Sequence, residues 1–261
     1  MSTTTPAMPL LDYNHNFCFS VPNALESDRI LLTPFIPEIH TLPFVTQAVR
    51  FPEIYDGLPF GPFEDADEMN RDFVQGRIQK DPGMVLFAIY DKTRPADADA
   101  YPAGAGALAG VIGYLNTKPA QLQTEIGFVM IYPSFQRTHV TSNVVGLLLH
   151  YALDVPSADS FSGHNTSPLA FRRVVWQANN SNKASVRCAE RLGFKLEAIL
   201  RWDRVLPPRK KSLGVGNGIN PRVGDPHPEG VGRDTALLAL CWDDWENGER
   251  DKVDIIMQRV V

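Results

Sequence analysis

The stretch from Glu125 to Ala178 constrains the fold more than any other part of this chain. Glu125 to Ile131 is apolar at nearly every position after its acid, which predicts a strand covered on both faces. Val144 to Leu153 is apolar almost all the way round, so as a helix it has to be buried against a sheet. Val174 to Ala178 then returns to strand character and stops at Asn179. Strand, buried helix and strand together predict a crossover between two parallel neighbours near the centre of a mixed sheet, and an α/β (α+β mixed sheet) class for the chain.

Met1 to Asn23 carries Ser, Thr and Pro around one apolar patch, Phe17 to Val21, and predicts a mobile start followed by an edge strand or packed arm. Residues 1–28 are expected to form an N-terminal extension, and 29–261 a single domain. Ile30 to Phe35 reads as a strand, Pro37 to Val49 as a helix opened by proline, and Glu64 to Lys80 as a second helix with acids at its start. Val85 to Tyr90 and Val111 to Asn116 are further strands. Between them Arg94 to Gly106, rich in Ala, Asp, Gly and Pro, predicts an exposed hairpin loop. Asp154 to Ser167 is a polar linker, Lys183 to Leu192 a helix stopped by Gly193, and Leu196 to Leu206 a strand. Thr235 to Trp242 is the last strand, with a short segment after it. The loop between these two strands, Pro207 to Gly232, is long, rich in Gly and Pro, and headed by Arg209-Lys210-Lys211.

Composition then removes whole classes of function. Of 261 residues, 44% are apolar and 21% charged, enough to bury a core. A net charge of -5 with dispersed basic residues argues against nucleic acid as the main partner. No apolar run reaches the roughly 18 residues of a membrane span, and Met1 to Asn16 lacks a signal-peptide pattern. Cys18, Cys188 and Cys241 are odd in number and far apart, which fits neither a disulfide framework nor a metal cluster. A cytoplasmic protein without a metal and without a membrane or nucleic-acid partner is expected.

Two places have the makings of chemistry. After the Glu125 strand, Pro133-Ser-Phe-Gln-Arg-Thr-His-Val-Thr leads into the buried helix, and a helix N-terminus offers unpaired backbone N–H groups and a positive dipole end to a phosphate or pyrophosphate. Any crossover helix has such groups, so that feature alone identifies no ligand. The second place is Trp176-Gln-Ala-Asn-Asn-Ser-Asn-Lys-Ala-Ser-Val-Arg-Cys-Ala-Glu-Arg-Leu-Gly-Phe. Its Asn182-x-x-Ser185 before a helix and Leu192-Gly193-Phe194 after it resemble the second half of the acetyl-CoA site in the GNAT acetyltransferases, in their RimJ/RimL-like branch. The Glu125 strand and its turn resemble the first half. The resemblance runs from about Arg29 to Trp245 and includes Gly232-Arg-Asp-Thr, similar to the family's Gly and Asp before the final strand.

That resemblance implies a mixed central sheet splayed between its fourth and fifth strands, helices on both faces, and acetyl-CoA wedged into the split between Glu125–Ile131 and Val174–Ala178. It implies cofactor contacts from Phe128 and Val129 on the strand, from Gln136, Arg137, Thr138, His139, Val140 and Thr141 in the pyrophosphate loop, and from Asn182 and Ser185. The family writes that loop Gln/Arg-x-x-Gly-x-Gly/Ala, and His139 and Thr141 stand here at the glycine positions, similar to a fungal sub-branch. Their N–H groups remain able to bind phosphate if both hold a negative φ, although the side chains narrow the approach. Transfer is then expected to be direct, in a ternary complex with no covalent intermediate.

Ser185, Ala189 and Leu192 fall on one helix face, so Ser185 is expected to point inward. The bland reading is a small residue bonding its own backbone; the resemblance implies a proton donor to the departing thiolate of CoA. Glu125 is expected to act as base or to orient a water, the bland alternative being a solvated or Arg-paired strand-end charge. At pH 7.4, deprotonating a Lys-like amine costs about 4 kcal/mol, against under about 1 kcal/mol for an α-amine. Backbone N–H groups of the same strand would polarise the thioester carbonyl. Cys188, with His139 or His150, is a rival nucleophile, but the face it shares with Ala184 and Leu192 predicts core. His150 is expected to be structural, and Trp176, Trp202, Trp242 and Trp245 to be core. The expected acceptor is a small-molecule amine, because Pro207–Gly232 and Tyr55–Phe63 can roof a pocket. A protein N-terminus, or a non-catalytic acyl-CoA-binding role, is the alternative. The protein is expected to be a monomer or homodimer.

Overall fold

In the computed structural model of the chain, residues 13–96, 104–156 and 167–259 are described. The opening of the expected mobile start and the middles of the expected loop Arg94 to Gly106 and linker Asp154 to Ser167 lie outside them.

The described residues form eight strands, most of them apolar: β1 (Leu25–Glu26), β2 (Ile30–Pro34), β3 (Val85–Asp91), β4 (Ala107–Lys118), β5 (Gln123–Ile131), β6 (Arg173–Asn179), β7 (Lys195–Leu206) and β8 (Val231–Cys241). They make one sheet in the order β1-β2-β3-β4-β5-β6-β8-β7. β5 and β6 are parallel neighbours, while every other pairing is antiparallel. A parallel pair needs a crossover, and α3 (His139–Leu153) supplies it. The other helical segments are α1 (Pro37–Ala48), α2 (Ala66–Glu68) running into a π-helical stretch over Met69–Ile78, α4 (Lys183–Arg191), α5 (Trp242–Asp244) and α6 (Arg250–Gln258). This is the expected mixed sheet with helices on both faces.

α3 explains its own composition. Every residue from Ser142 to Leu153 is buried, because the sheet covers one side and α6 the other. Gly146 makes the second contact possible, since a Cβ there would stand 2.2 Å from Sδ of Met257. The short segment expected after the last strand is therefore a correction: it carries α6, with Trp245 and Val253 fully buried. Val253, Ile256 and Met257, at i, i+3 and i+4, were the signal for it.

Of the expected edge strand or packed arm, Phe17 to Val21 form the arm: they hold no strand, and Phe17, Phe19 and Val21 pack against the core, while the edge strand β1 comes after them at Leu25–Glu26. β1 also changes a count. The split expected between the fourth and fifth strands falls between the fifth and sixth of this sheet, although on the same residues. Two of the tryptophans depart from expectation. Trp176 and Trp245 are core, but Trp202 and Trp242 are 46% and 47% exposed, on the edge strand β7 and at the start of α5.

Candidate active site

β5 and β6 pair only from Gln123–Arg173 to Ile126–Trp176. Beyond that point the two strands part, and a cavity of about 320 Å³ fills the gap. One wall is Ile126, Gly127, Phe128, Val129 and Ile131; the facing wall is Trp176, Gln177, Ala178 and Asn179. β5 bulges here: Val111 pairs with Met130 and Gly113 with Gly127, so Phe128 and Val129 together oppose Ile112. Phe128 takes φ 55°. A bulge leaves an extra residue outside the ladder, and here the bulged pair, Phe128 and Val129, lines the cavity.

At the far end of β5 the chain turns into α3. Thr138 is its N-cap, and its hydroxyl accepts from the Val140 N–H at 3.3 Å. His139 and Thr141 are both helical with negative φ, so the backbone condition for phosphate binding at those positions is met. Their side chains part company. Thr141 lines the cavity, whereas the His139 ring turns away to Asp91, Nε2 to Oδ1 3.2 Å. Gln136 lines the cavity too, its amide donating to the Ile131 carbonyl. Arg137 is exposed with φ 60°, and the Val140 side chain is core. Of the loop residues named from the sequence, the cavity thus gathers Gln136 and Thr141, and not the side chains of Arg137, Thr138, His139 or Val140.

α4 supplies the other rim. The Asn182 side chain caps it by accepting from the Ser185 N–H at 3.0 Å, the local hydrogen bond that Asn-x-x-Ser encodes. Ser185 lines the cavity, and its hydroxyl oxygen accepts from the Trp176 indole at 3.0 Å. That bond uses a lone pair and leaves the hydroxyl proton available. Ala189 and Leu192 are buried behind it. Cys188 meets the expectation of core in part: it is half-buried and packs against the core, and it also forms part of the cavity wall. Burial raises its thiol pKa against the opposing pull of Arg191, so it is a neutral wall rather than a nucleophile. Neither expected histidine partner turns to it. His150 is clamped between Asp154 (2.9 Å) and Asp254 (2.8 Å).

Glu125 sits where the strands begin to part and is 4% exposed. Its Oε2 accepts from Asn116 Nδ2 at 2.8 Å and from Gln177 Nε2 at 2.9 Å. Burial pushes its pKa up to about 7, restrained by the Asn116 bond, by Arg204 and Arg233 and by the Gln177 bond. A carboxyl balanced near neutrality can take a proton from an amine and release it again. Of the bland alternative, the solvated charge does not describe it, while the Arg-paired charge is met in part, since Arg204 and Arg233 both act on it.

One irregular segment, represented in the cavity lining by Glu53, Ile54, Gly57 and Leu58, closes the remaining side, and the loop after β7 holds it from outside the lining. Lys210, 1% exposed, reaches out of the loop after β7 to donate to the Tyr55 carbonyl at 2.6 Å. Arg209 donates twice to the Gly61 carbonyl, at 3.1 and 2.8 Å. The segment they hold lies close over α4: a Cβ on Gly57 would meet Asn182 Nδ2 at 2.8 Å. Farther on, the Val215 carbonyl accepts from Asn179 Nδ2 at 2.7 Å. The expected structureless loop has a helical turn of its own, Pro208–Leu213.

Sequence reading missed Asn116, Gln177, Arg77, Arg204 and Arg233 around Glu125. The available signal was charge at inward strand positions, Arg233 standing two residues from buried Thr235 on the same face. Elsewhere, Cys241, Asp243 and Asp244 bring ligand atoms within 4.8 Å of one another, at the end of β8 opposite the cavity, where Asp244 pairs with Lys195. Among the described residues no helix is long and apolar enough to cross a membrane.

Comparison with known proteins agrees with this geometry. Residues 29–195 match the model of the acetyltransferase (GNAT) domain. Among curated proteins none matches the sequence. A GCN5-related N-acetyltransferase from Brucella melitensis has the same fold, with TM-score 0.65 and 21% identity over 89% of this chain and 85% of that one. Spermidine N-acetyltransferase from Vibrio cholerae, solved with CoA and spermine, gives 0.56 and 14% over 85% and 100%. RimL, a ribosomal L7/L12 alpha-N-protein acetyltransferase solved with CoA, gives 0.56 and 19% over 85% and 99%. With most of its length matched by the domain model and its central strands splayed around a cavity, the chain belongs to the GNAT acetyltransferases and is an acetyl-CoA-dependent N-acetyltransferase.

Proposed function

We propose that this enzyme acetylates a small-molecule primary amine by direct attack, with Glu125 as base and Ser185 as acid. The observation that carries the reading is Glu125, a buried carboxyl with a pKa near 7 at the mouth of the split. The cavity residues fit acetyl-CoA: a narrow apolar slot for its arm, off-ladder backbone groups at the Phe128 bulge, and the first turn of α3 beside Thr141 for its phosphates. Acetyl-CoA brings the activated acetyl thioester. Gln177 and Asn116 hold the Glu125 carboxyl in place, and Glu125 takes the proton from the incoming ammonium. Backbone N–H groups at the bulge polarise the carbonyl. As the C–S bond breaks, Ser185, anchored by the Trp176 indole, gives its proton to the leaving sulfur, directly or through water, and regains one from the nitrogen that has formed the new C–N bond.

Asn182-x-x-Ser185 and Leu192-Gly193-Phe194 support assignment to the RimJ/RimL-like branch, and His139 with Thr141 support its fungal sub-branch. The packing of α6 on α3 supports treating 29–261 as one catalytic domain with 1–28 as an extension. Three unpaired cysteines support a reducing cytoplasm.

The test is free-thiol release from acetyl-CoA over a panel of small amines and N-terminal peptides, read beside thermal protection by acetyl-CoA. Saturation at about 100 times the dissociation constant should add roughly 2.7 kcal/mol. Release with small amines is the expected result. Release only with peptides would move the acceptor to a protein N-terminus, and protection without any release would make the protein a non-catalytic acyl-CoA binder.

A further inference from the structure

Three guanidinium groups from distant parts of the chain converge on the acceptor end of the cavity. Arg77 stacks over Phe128, 5.3 Å from the ring centroid, and over Phe60 at 5.2 Å. Arg204 donates to Gln177 Oε1 at 3.2 Å and pairs with Asp203 at 3.0 Å. Arg233 reaches the Gly57 carbonyl at 3.5 Å. Phe128, Gln177 and Gly57 all line the cavity, so each arginine stands directly behind one of its wall residues.

Arg233 is the unusual member. It is 3% exposed, and among the described residues its Nε has no hydrogen-bond partner. Leaving a buried charged donor unpaired costs more than any neutral one. Its neighbours do not relieve it: burial and Arg204 together push its pKa down to about 10, against the weaker pull of Asp203 and Glu125. Burial and Arg204 lower Arg77 too, against the pull of Glu125 and Asp81. Arg204 and Arg233 face Asp203, already engaged by Arg204 and by the Thr235 hydroxyl, and Glu125, a buried carboxyl; Arg77 faces Glu125 and Asp81. Among the described residues no carboxylate comes within ion-pair distance of Arg233 or Arg77, which leaves room for an anion from outside. The phosphates of acetyl-CoA do not fill that place, because the first turn of α3 lies beyond the other end of β5, roughly 20 Å from Glu125 at strand rise.

We propose that Arg233, with Arg204 and Arg77, is an anion subsite for the acceptor, so that the amine acetylated by this enzyme also carries an oxyanion, a carboxylate or a phosphate ester. A guanidinium fork matches either group in two-point fashion. The same charges repel a polycation. The inference rests on the acetyltransferase reading above and narrows its substrate class.

The experiment measures kcat and KM by thiol release for matched amines: α-amino acids against their amides, phosphoethanolamine against ethanolamine, and spermidine alone. The acid member of at least one pair should exceed its neutral partner by tenfold or more in kcat/KM, and which pair does so separates carboxylate from phosphate. Arg233→Gln should reduce that ratio by tenfold or more, through KM of the acid member, without changing the dissociation constant of acetyl-CoA. Arg204→Gln makes the same measurement if the first variant fails to fold. An arginine that only supports the fold or tunes Glu125 would change both members of a pair alike and leave the ratio intact, which would overturn the inference. Equal or greater turnover of the amides, ethanolamine or spermidine would also overturn it while leaving the acetyltransferase reading standing. No thiol release with any amine would remove that reading and this one with it.

Discussion

The two walls of the cavity are made differently. The thioester side is regular secondary structure: parting strands β5 and β6 and the capped starts of α3 and α4, with the local bonds Thr138 to Val140 and Asn182 to Ser185. The acceptor side is one loop held from outside by the cations of another, Lys210 to the Tyr55 carbonyl and Arg209 to the Gly61 carbonyl. Backbone geometry can bind one invariant co-substrate, while side chains on loops suit an acceptor that differs between relatives. Changes on the first wall should therefore act on turnover, and changes on the second on the acceptor Michaelis constant.

The sharpest way to break that division is at Glu125, which lies just outside the cavity lining and is bonded to the wall residue Gln177. Glu125→Gln should lower kcat by about 100- to 10,000-fold at pH 8. The rate profile of the wild type should climb through a midpoint about 7, and that limb should be missing in the variant. A variant keeping the same limb would disqualify Glu125 as base. Stability should move the other way. The folded pKa lies above the ordinary 4.5, so stabilisation from this group is full below that value and is lost as pH rises through about 7. Relative to the wild type, Glu125→Gln should gain up to ~3 kcal/mol between pH 5 and pH 8, measured by denaturant titration.

Ser185→Ala should come next, with kcat lower by about 10- to 1,000-fold and calorimetric acetyl-CoA affinity nearly unchanged. Loss of affinity in place of turnover would make Ser185 a binding residue. On the acceptor wall, replacing Arg209–Glu229 with a short Gly-containing turn should raise the acceptor KM about tenfold while leaving acetyl-CoA protection intact. Equal kinetics for the shortened protein would move specificity to Tyr55 through Phe63. Within that loop, Lys210→Met should cost about 1–3 kcal/mol of stability, since it strips a buried carbonyl of its donor. The smallest effect belongs to Cys188→Ala: activity within about threefold, as befits a neutral thiol in the wall. Its abolition in a folded variant would instead favour a covalent acetyl-enzyme.

How legible each part was follows from how far apart its partners lie in the chain. The α4 cap was readable because Asn182 and Ser185 are three residues apart and the bond between them is local. Crossover helix α3 was readable because its apolar surface leaves a helix no solvated option. Its first turn, from His139, was not, since nothing apolar marks it before Val144 except Val140. Helix α6 was obscured by Gly248, which takes φ 116° and breaks the periodicity between Trp245 and Val253. Cys188 was placed in the core because helical spacing tells which face a residue shares, not where a neighbouring strand departs and leaves that face open.

The chain's own pattern determined the parallel pair at the sheet centre, the two helix starts beside it and the residues capping them, because each depends on hydrogen bonds or apolar spacing within one or two turns of backbone. Tertiary structure alone decided the electrostatics. Inserting β8 between β6 and β7 brings Arg233 and Arg204 to Glu125, more than seventy residues away in sequence, and the stretch over Met69–Ile78 delivers Arg77 to the same place. Charge interactions depend on separation in space and on the water excluded between groups, and neither quantity is written in any local run of residues.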